Sequence, residues 1–318
     1  MKLYVTGGAG FIGQSICDDI SQQYEVNRDR HDLTNHVEIA DLCTLHHFDV
    51  IIHCAGIAHQ KVGSLDRKTY FKVNSQATEN LAICAAMANP DVKFFFLSSV
   101  SVYGERAQHQ PPYGVGSMDE EVNDGGVTED DPCHPSGDYA DSKLDAEHRL
   151  IKLYKKGVLK HLDILRLAPV YDKDWSLNLD RRVFAPKKTF YVRFGSGMQR
   201  MSALARPNLV AFICHLLGHE PPERIRIFNV CDADPYSFSS IIDAFKKSGV
   251  HPVRLSISIP MVAVWLVSRI AGKISRKNRY WWYACYDKLA SDLVYDNQRM
   301  LETGFRPQYS LKMIFSKK

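Results

Sequence analysis

A glycine turn at residues 6–13 constrains this chain more than any other feature. The apolar run Lys2 to Thr6 leads into Thr6-Gly7-Gly8-Ala9-Gly10-Phe11-Ile12-Gly13, and a helical pattern follows from Phe11 to Gln22. Strand, glycine turn and helix in that order make a phosphate cradle. Gly7 permits the tight turn, Gly10 lets the backbone approach a pyrophosphate, and Gly13 allows close packing of helix on sheet. The helix then offers free N–H groups and a positive dipole end, with Phe11 and Ile12 in its first turn.

The rest of the first half repeats the strand–helix rhythm. Tyr24 to Arg28, Asp49 to Cys54, Lys93 to Ser98 and Leu162 to Leu167 read as strands, and Arg67 to Met87 and Tyr139 to Lys155 as helices. Asp49-Val50-Ile51-Ile52 and Phe94-Phe95-Phe96-Leu97 are continuously apolar, as strands covered on both faces are. The pattern predicts an α/β fold with a Rossmann doubly wound parallel sheet over residues 1–170. After Val170 aromatic and basic residues and prolines dominate, which predicts a smaller C-terminal α/β substrate-binding domain over 171–318. Elements around 203–232 are expected to return to the first domain. The polar stretch from Glu105 to Asp138, with its acidic Asp119-Glu120-Glu121 to Asp124, is either a lid over a ligand or a disordered segment.

Composition excludes some classes. The 40 basic and 36 acidic residues leave a net charge of +4, which suits an anionic ligand and lacks the dense basic stripe of a nucleic-acid binder. The eight cysteines, Cys17 to Cys285, have no metal-type spacing and read as free thiols in a reducing cytosol. The start has no secretory apolar core, so a cytoplasmic protein is expected. Ile259 to Ile270 reads as an apolar helix, followed by Lys273, Arg276, Lys277, Arg279 and Trp281-Trp282. It is either a buried domain helix with a solvated basic end or a peripheral membrane contact. The buried reading is preferred.

Two further sites carry chemistry. The second strand runs into Arg28-Asp29-Arg30. Arg28 and Arg30 suit the 2′-phosphate of NADP, whereas Asp29 suits the free ribose hydroxyl of NAD. The two arginines tip the choice towards NADP, and Asp32-Leu33 reads as the pair at the adenine edge. Tyr139-Ala140-Asp141-Ser142-Lys143 puts Tyr139 and Lys143 on one helix face. A lysine ammonium there is expected to lower the phenol's pKa, making Tyr139 an acid/base for proton transfer at a carbinol or ketone. Ser98-Ser99-Val100-Ser101 follows a buried strand, where a hydroxyl faces the ligand crevice of a parallel sheet.

With these motifs assembled, the sequence resembles the extended short-chain dehydrogenases, the nucleotide-sugar epimerase and dehydratase family. TGGAGFIG, His53-Cys54-Ala55-Gly56, Val73-Asn74, SSVSVYG at 98–104, YADSK at 139–143, Leu165 to Tyr171, Gln199 to Ser202 and Phe228-Asn229-Val230 come in the family's order. The resemblance implies Tyr139 as acid/base, Lys143 as its activator and ribose ligand, and Ser99 as the catalytic hydroxyl. It adds Ala55, Gly56 and Asn74 to the cofactor site, Ser101 to the substrate site, and Arg200 as a ligand of the substrate's diphosphate. No metal is expected. Family dehydratases carry Thr-Asp-Glu where this chain has Ser99-Val100-Ser101, which disfavours dehydration. A 4-keto-sugar reductase for surface polysaccharide synthesis is the preferred reading. The alternatives are a 4-epimerase with tightly bound NAD and a non-catalytic dinucleotide-binding regulator. A homodimer through the helix bearing Tyr139 is a further expectation.

Overall fold

The computed structural model describes residues 1–58, 65–104, 126–184, 189–219, 224–249, 255–275, 282–283, 286 and 289–316. The acidic stretch 119–124, Arg276, Lys277, Arg279, Trp281 and Cys285 therefore lie outside the described residues.

Six parallel strands form the central sheet: β1 (Lys2–Thr6), β2 (Glu25–Asn27), β3 (Val50–His53), β4 (Lys93–Ser99), β5 (His161–Leu167) and β10 (Ile225–Val230). Their spatial order is β10-β5-β4-β3-β1-β2. Side chains alternate between the two faces along each strand. On one face Tyr4, Ile51, Phe94, Phe96 and Ile164 share a core with α2 (His36–His46), α4 (Ala77–Ala88) and α5 (Asp138–Lys155). Their neighbours Leu3, Val5, Ile52, Phe95 and Leu165 are equally buried and point the other way. On that second face Phe212 of α7 (Arg206–Gly218) meets Phe228 edge-on, with ring centroids 5.4 Å apart. Helices on both faces explain why the strands read as unbroken apolar runs.

The fold differs from a full Rossmann sheet at one edge. The usual order places a third strand outside the second. Here residues 28–35 run straight from β2 into α2, and so short a link cannot hold a crossover, which takes a dozen or more residues. β2 is consequently the edge strand. From β1 the chain passes to β2 on one side and then to β3 on the other, so the switch of direction falls at the carboxyl ends of β1 and β3. In open α/β sheets ligands bind at such a switch point.

Two compact units divide the chain. The first joins Met1–Gly104, Cys133–Leu167 and Val210–Val230. The second takes Ala168–Leu209 and the chain from Cys231 onward, together with residues 126–132. Among the described residues it holds three two-stranded sheets: β6 (Val170–Tyr171) with β9 (Leu204–Ala205), β7 (Tyr191–Phe194) with β12 (Ser256–Ile259), and β8 (Arg200–Met201) with β11 (Tyr236–Ser237). Its core packs Tyr171, Leu179, Tyr191, Phe238, Phe245 and Phe315 together. Asp232 ties this unit, accepting hydrogen bonds from Ala205 N, Asn208 Nδ2, Tyr171 Oη and Tyr236 Oη at 2.7–2.9 Å.

α9 (Met261–Ile274) corrects one expectation. It forms where the apolar run predicts a helix, but Val262, Trp265, Leu266, Val267, Ile270 and Ile274 are exposed, not buried. Periodicity shows that a helix carries an apolar face; it does not show which way that face turns. No helix among the described residues is long and apolar enough to cross a membrane.

Candidate active site

The glycine turn is built as its chemistry demands. Gly7 has φ +68°, and a Cβ there would lie 3.0 Å from the Ala55 backbone. Only a residue without a side chain lets the ends of β1 and β3 approach this closely. A Cβ on Gly13 would sit 2.3 Å from the Gly7 carbonyl oxygen, so α1 (Phe11–Ile20) packs directly against the turn. Gly10 caps α1 with extended backbone and no side-chain hydrogen bond, leaving the helix terminus to an anionic ligand. Phe11 and Ile12, both half-buried, form its first turn. These features fit the diphosphate of a dinucleotide.

At the edge, the Cβ of Arg28 would be 2.9 Å from a Cβ on Gly8, which seats Arg28 beside the turn. Its guanidinium reaches Asp18 at 3.3 Å, an exposed pair. Arg30 is exposed on the same link. Asp32 accepts from the backbone N–H and hydroxyl of Thr34 at 2.9 and 2.8 Å, and these bonds hold its carboxyl below the usual range. Leu33 packs on the core below.

A directional hydrogen-bond chain connects this turn to Asn74. Ala55 N–H donates to Thr6 Oγ1 at 3.0 Å, and Thr6 Oγ1 meets His53 Nδ1 at 2.7 Å. On the other side His53 Nε2 meets Thr78 Oγ1 at 2.8 Å, and Thr78 donates to the Asn74 carbonyl at 2.9 Å. The Thr78 hydroxyl has one proton and spends it on that carbonyl, so it accepts from His53. His53 therefore carries its proton on Nε2 and accepts from Thr6 on Nδ1. Burial, reinforced by the Lys143 charge, pushes its pKa down to about 3.

Asn74 stands in a π-helical turn, Lys72–Gln76, which interrupts the helix predicted over Arg67–Met87. Such wide turns are frequent at functional sites. Asn74 Oδ1 accepts from Ile57 N at 2.7 Å, while Nδ2 donates to Ile57 O and Ser142 Oγ, each at 3.0 Å. A Cβ on Gly56 would lie 3.1 Å from Asn74 Oδ1 and 3.7 Å from Lys143 Nζ. The predicted cofactor residues Gly56, Asn74 and Lys143 thus converge on one spot.

Tyr139 and Lys143 lie one turn apart on α5. The phenol of Tyr139 lies close enough to Ser99 for that hydroxyl to pull its pKa down, and Ser99 also caps the 3₁₀ turn Val100–Tyr103 by accepting from Ser101 N at 3.2 Å. Ser101 Oγ is shielded from solvent and has no hydrogen-bond partner among the described residues. Lys143 Nζ donates to the Leu97 carbonyl at 2.7 Å and lies 4.4 Å from the Phe96 ring centre. Burial lowers its pKa to about 8, against the opposing pull of Cys54 and Glu147.

One expectation needs correction here. The Tyr139 phenol is shifted up, not down, because burial outweighs the opposing pull of Ser99. Lys143 turns instead towards the end of β4. Arg200 is in the second unit, where its backbone N–H and Nε meet Asp292 at 2.7 and 2.8 Å.

Sequence reasoning missed the support beneath this site. Glu147, one turn beyond Lys143, is fully buried and pairs with Arg166 Nη2 at 2.7 Å. Ser98 also donates to Glu147, and Arg166 reaches Tyr103 Oη at 2.9 Å, which in turn donates to Asn229 at 2.6 Å. Two signals pointed to it: an acid continuing the Tyr139–Lys143 helix face, and an arginine inside the apolar strand Leu165-Arg166-Leu167.

Comparison with known proteins identifies the family. Residues 3–231 match the model of the NAD dependent epimerase/dehydratase family. A UDP-glucose 4-epimerase of Vibrio cholerae is 25% identical over 98% of this chain and 92% of its own length. Among solved structures, UDP-glucuronic acid 4-epimerase from Bacillus cereus, in complex with NAD, superposes with TM-score 0.70 at 19% identity, covering 99% of this chain and 96% of that one. A dTDP-4-dehydrorhamnose reductase from Bacillus anthracis, in complex with NADP, gives TM-score 0.67 at 15% identity, over 99% of this chain and 95% of that one. With the matched model spanning most of the chain and the motifs in their places, this protein belongs to the NAD dependent epimerase/dehydratase family.

Proposed function

We propose that this chain is an NAD(P)-dependent oxidoreductase acting at carbon 4 of a nucleotide-diphosphate sugar, in the direction of 4-keto-sugar reduction. The observation that carries the reading is the juxtaposition of the Tyr139 phenol and the Ser99 hydroxyl at the carboxyl end of β4, with Lys143 one turn along α5. A ketone oxygen placed between the two hydroxyls accepts from both. A nicotinamide supplies hydride to the carbonyl carbon when bound. Tyr139 then gives its proton to the forming alkoxide, and Ser99 holds that oxygen in place. Lys143 binds the nicotinamide ribose and keeps positive charge near the proton donor. Burial holds the phenol protonated at neutral pH, the state a proton donor needs. Gly7, Gly10 and Gly13 hold the diphosphate of the cofactor, Gly56 and Asn74 its nicotinamide end. Arg200 is carried by family resemblance as the ligand of the sugar nucleotide's diphosphate.

NADP is the proposed cofactor, since Arg28 sits against the glycine turn and Arg30 follows two residues later. Arg28→Ala is expected to raise the Kd for NADPH by roughly tenfold while leaving NADH unchanged, consistent with one lost charge-assisted contact. Fluorescence titration with both cofactors checks it. An equal loss for both assigns Arg28 to the turn rather than to the 2′-phosphate.

Nucleotide-sugar 4-epimerisation is the second reading, favoured by the Vibrio cholerae relative that aligns along nearly the whole chain. Incubation with UDP-, dTDP- and GDP-sugars and their 4-keto forms, with and without NADPH, separates the two. Stoichiometric NADPH oxidation by a 4-keto sugar supports the reductase. Interconversion of 4-epimers without net cofactor use establishes the epimerase.

A further inference from the structure

α9 reverses the arrangement of an ordinary surface helix, which turns its apolar stripe inward. Its buried positions are Ser268 and Gly272. Val262, Leu266, Ile270 and Ile274 recur every fourth residue as one outward stripe, with Val262 68%, Ile270 56% and Ile274 80% exposed. Leu255, just before the strand leading into the helix, and Ile257 within it are also exposed. The orientation is built in. A Cβ on Gly272 would lie 2.9 Å from the Tyr283 ring, so the inward face is shaped to admit that ring and cannot take a branched side chain. A run of large aliphatic residues on one outward face is what soluble monomers avoid unless something covers it.

The charge pattern identifies the cover. From Ala244 to Tyr286 the chain carries eight Lys or Arg and no Asp or Glu. Arg269 and Lys273 are exposed on α9 itself. Arg269 lies 5.6 Å from the Trp265 ring centre and 4.6 Å from that of Tyr283, so its charge is held by aromatic faces beside the stripe. Aliphatic residues outward, with tryptophan and cations on their flank, match the interface between water and lipid, where aromatics sit at headgroup level and cations meet phosphates. A second copy of the chain fits less well. A two-fold contact along this face would set the acid-free segment against its own image. With 14 residues the helix is too short to span a bilayer and suits lying along it.

We propose that α9 docks this protein on the surface of an anionic phospholipid bilayer, with the Val262–Ile274 stripe entering the acyl boundary and Arg269 and Lys273 pairing with headgroup phosphates. The proposal does not depend on which reaction the enzyme catalyses, so its failure and the failure of the reductase reading are distinguishable.

The test is flotation of the full-length protein with vesicles of phosphatidylcholine alone and of phosphatidylcholine mixed with phosphatidylglycerol, at low and high salt. The protein is expected to float with the anionic vesicles at low salt and to be released by salt. Arg269→Gln with Lys273→Gln is expected to lower partitioning by roughly thirtyfold, a factor of about five for each cation lost. Ile270→Glu, an exposed position, is expected to abolish it while the circular dichroism spectrum stays that of the parent. Absence of wild-type binding to anionic vesicles overturns the proposal, as does binding that neither variant weakens. Sedimentation showing a dimer that Ile270→Glu dissociates, with no vesicle binding, assigns the face to a second copy instead.

Discussion

Replacing Tyr139 by Phe is expected to lower turnover of a 4-keto sugar about a thousandfold while dinucleotide affinity stays within a factor of two. The substitution removes one hydroxyl, the acidic proton beside the Ser99 hydroxyl at the end of β4, and leaves the ring of Tyr139 in place on α5. General acid catalysis contributes about 10² to 10⁴ in rate, which sets the size of the loss. Steady-state kinetics with NADPH, beside a fluorescence titration of cofactor, checks it. Turnover near the parent's would dismiss Tyr139 as proton donor.

The parent enzyme carries a linked pH signature. Its reduction rate is expected to hold through neutrality and fall as pH rises through about 8, where Lys143 gives up its proton. The sign follows from the charge. Loss of the ammonium removes positive potential near the developing alkoxide, while the phenol, shifted upward, is still protonated there. Lys143→Met is expected to remove that limb along with most of the activity.

The largest effect on stability is expected at Glu147. Glu147→Ala strands Arg166 as a buried charge, since the Arg166 side chain is 6% exposed and Glu147 supplies its carboxylate partner. Breaking one side of a buried ion pair costs about 3–5 kcal/mol. The same substitution removes the acceptor of Ser98. Urea unfolding of the isolated variant measures the loss. A value below about 1 kcal/mol would show that water or a neighbour compensates the arginine. Glu147→Gln, which keeps the shape and one acceptor, is expected to lose less.

The parts of the sheet that were legible share one property: each strand is covered on both sides. Phe94 to Leu97 and Val50 to Ile52 are uniformly apolar because two helical layers bury them, and such runs stand out without any structure. The short link 28–35, by contrast, has no apolar periodicity, so the missing third strand became visible only in the strand order. The π turn around Asn74 escaped for a related reason. One extra residue in a helical turn leaves composition unchanged and only re-aims side chains. In the site, spacing put Tyr139 and Lys143 on one face correctly, yet spacing carries no information on burial. That is why the direction of the phenol's shift came out reversed. α9 makes the same point at larger scale, with its stripe legible and its outward orientation set by Gly272 and Tyr283, eleven residues apart.

His53 has a thermodynamic consequence. Its ring is wired with one donor and one acceptor, and a second proton would turn Nδ1 into a donor facing the donor of Thr6. The folded chain refuses that proton until pH drops to about 3, whereas the unfolded chain accepts it near the ordinary value of 6.5. Between those two values unfolding takes up a proton, so conformational stability declines as the medium acidifies from 6.5 downward. The imidazole that aligns the glycine turn with Asn74 therefore also makes the dinucleotide half of the molecule acid-sensitive.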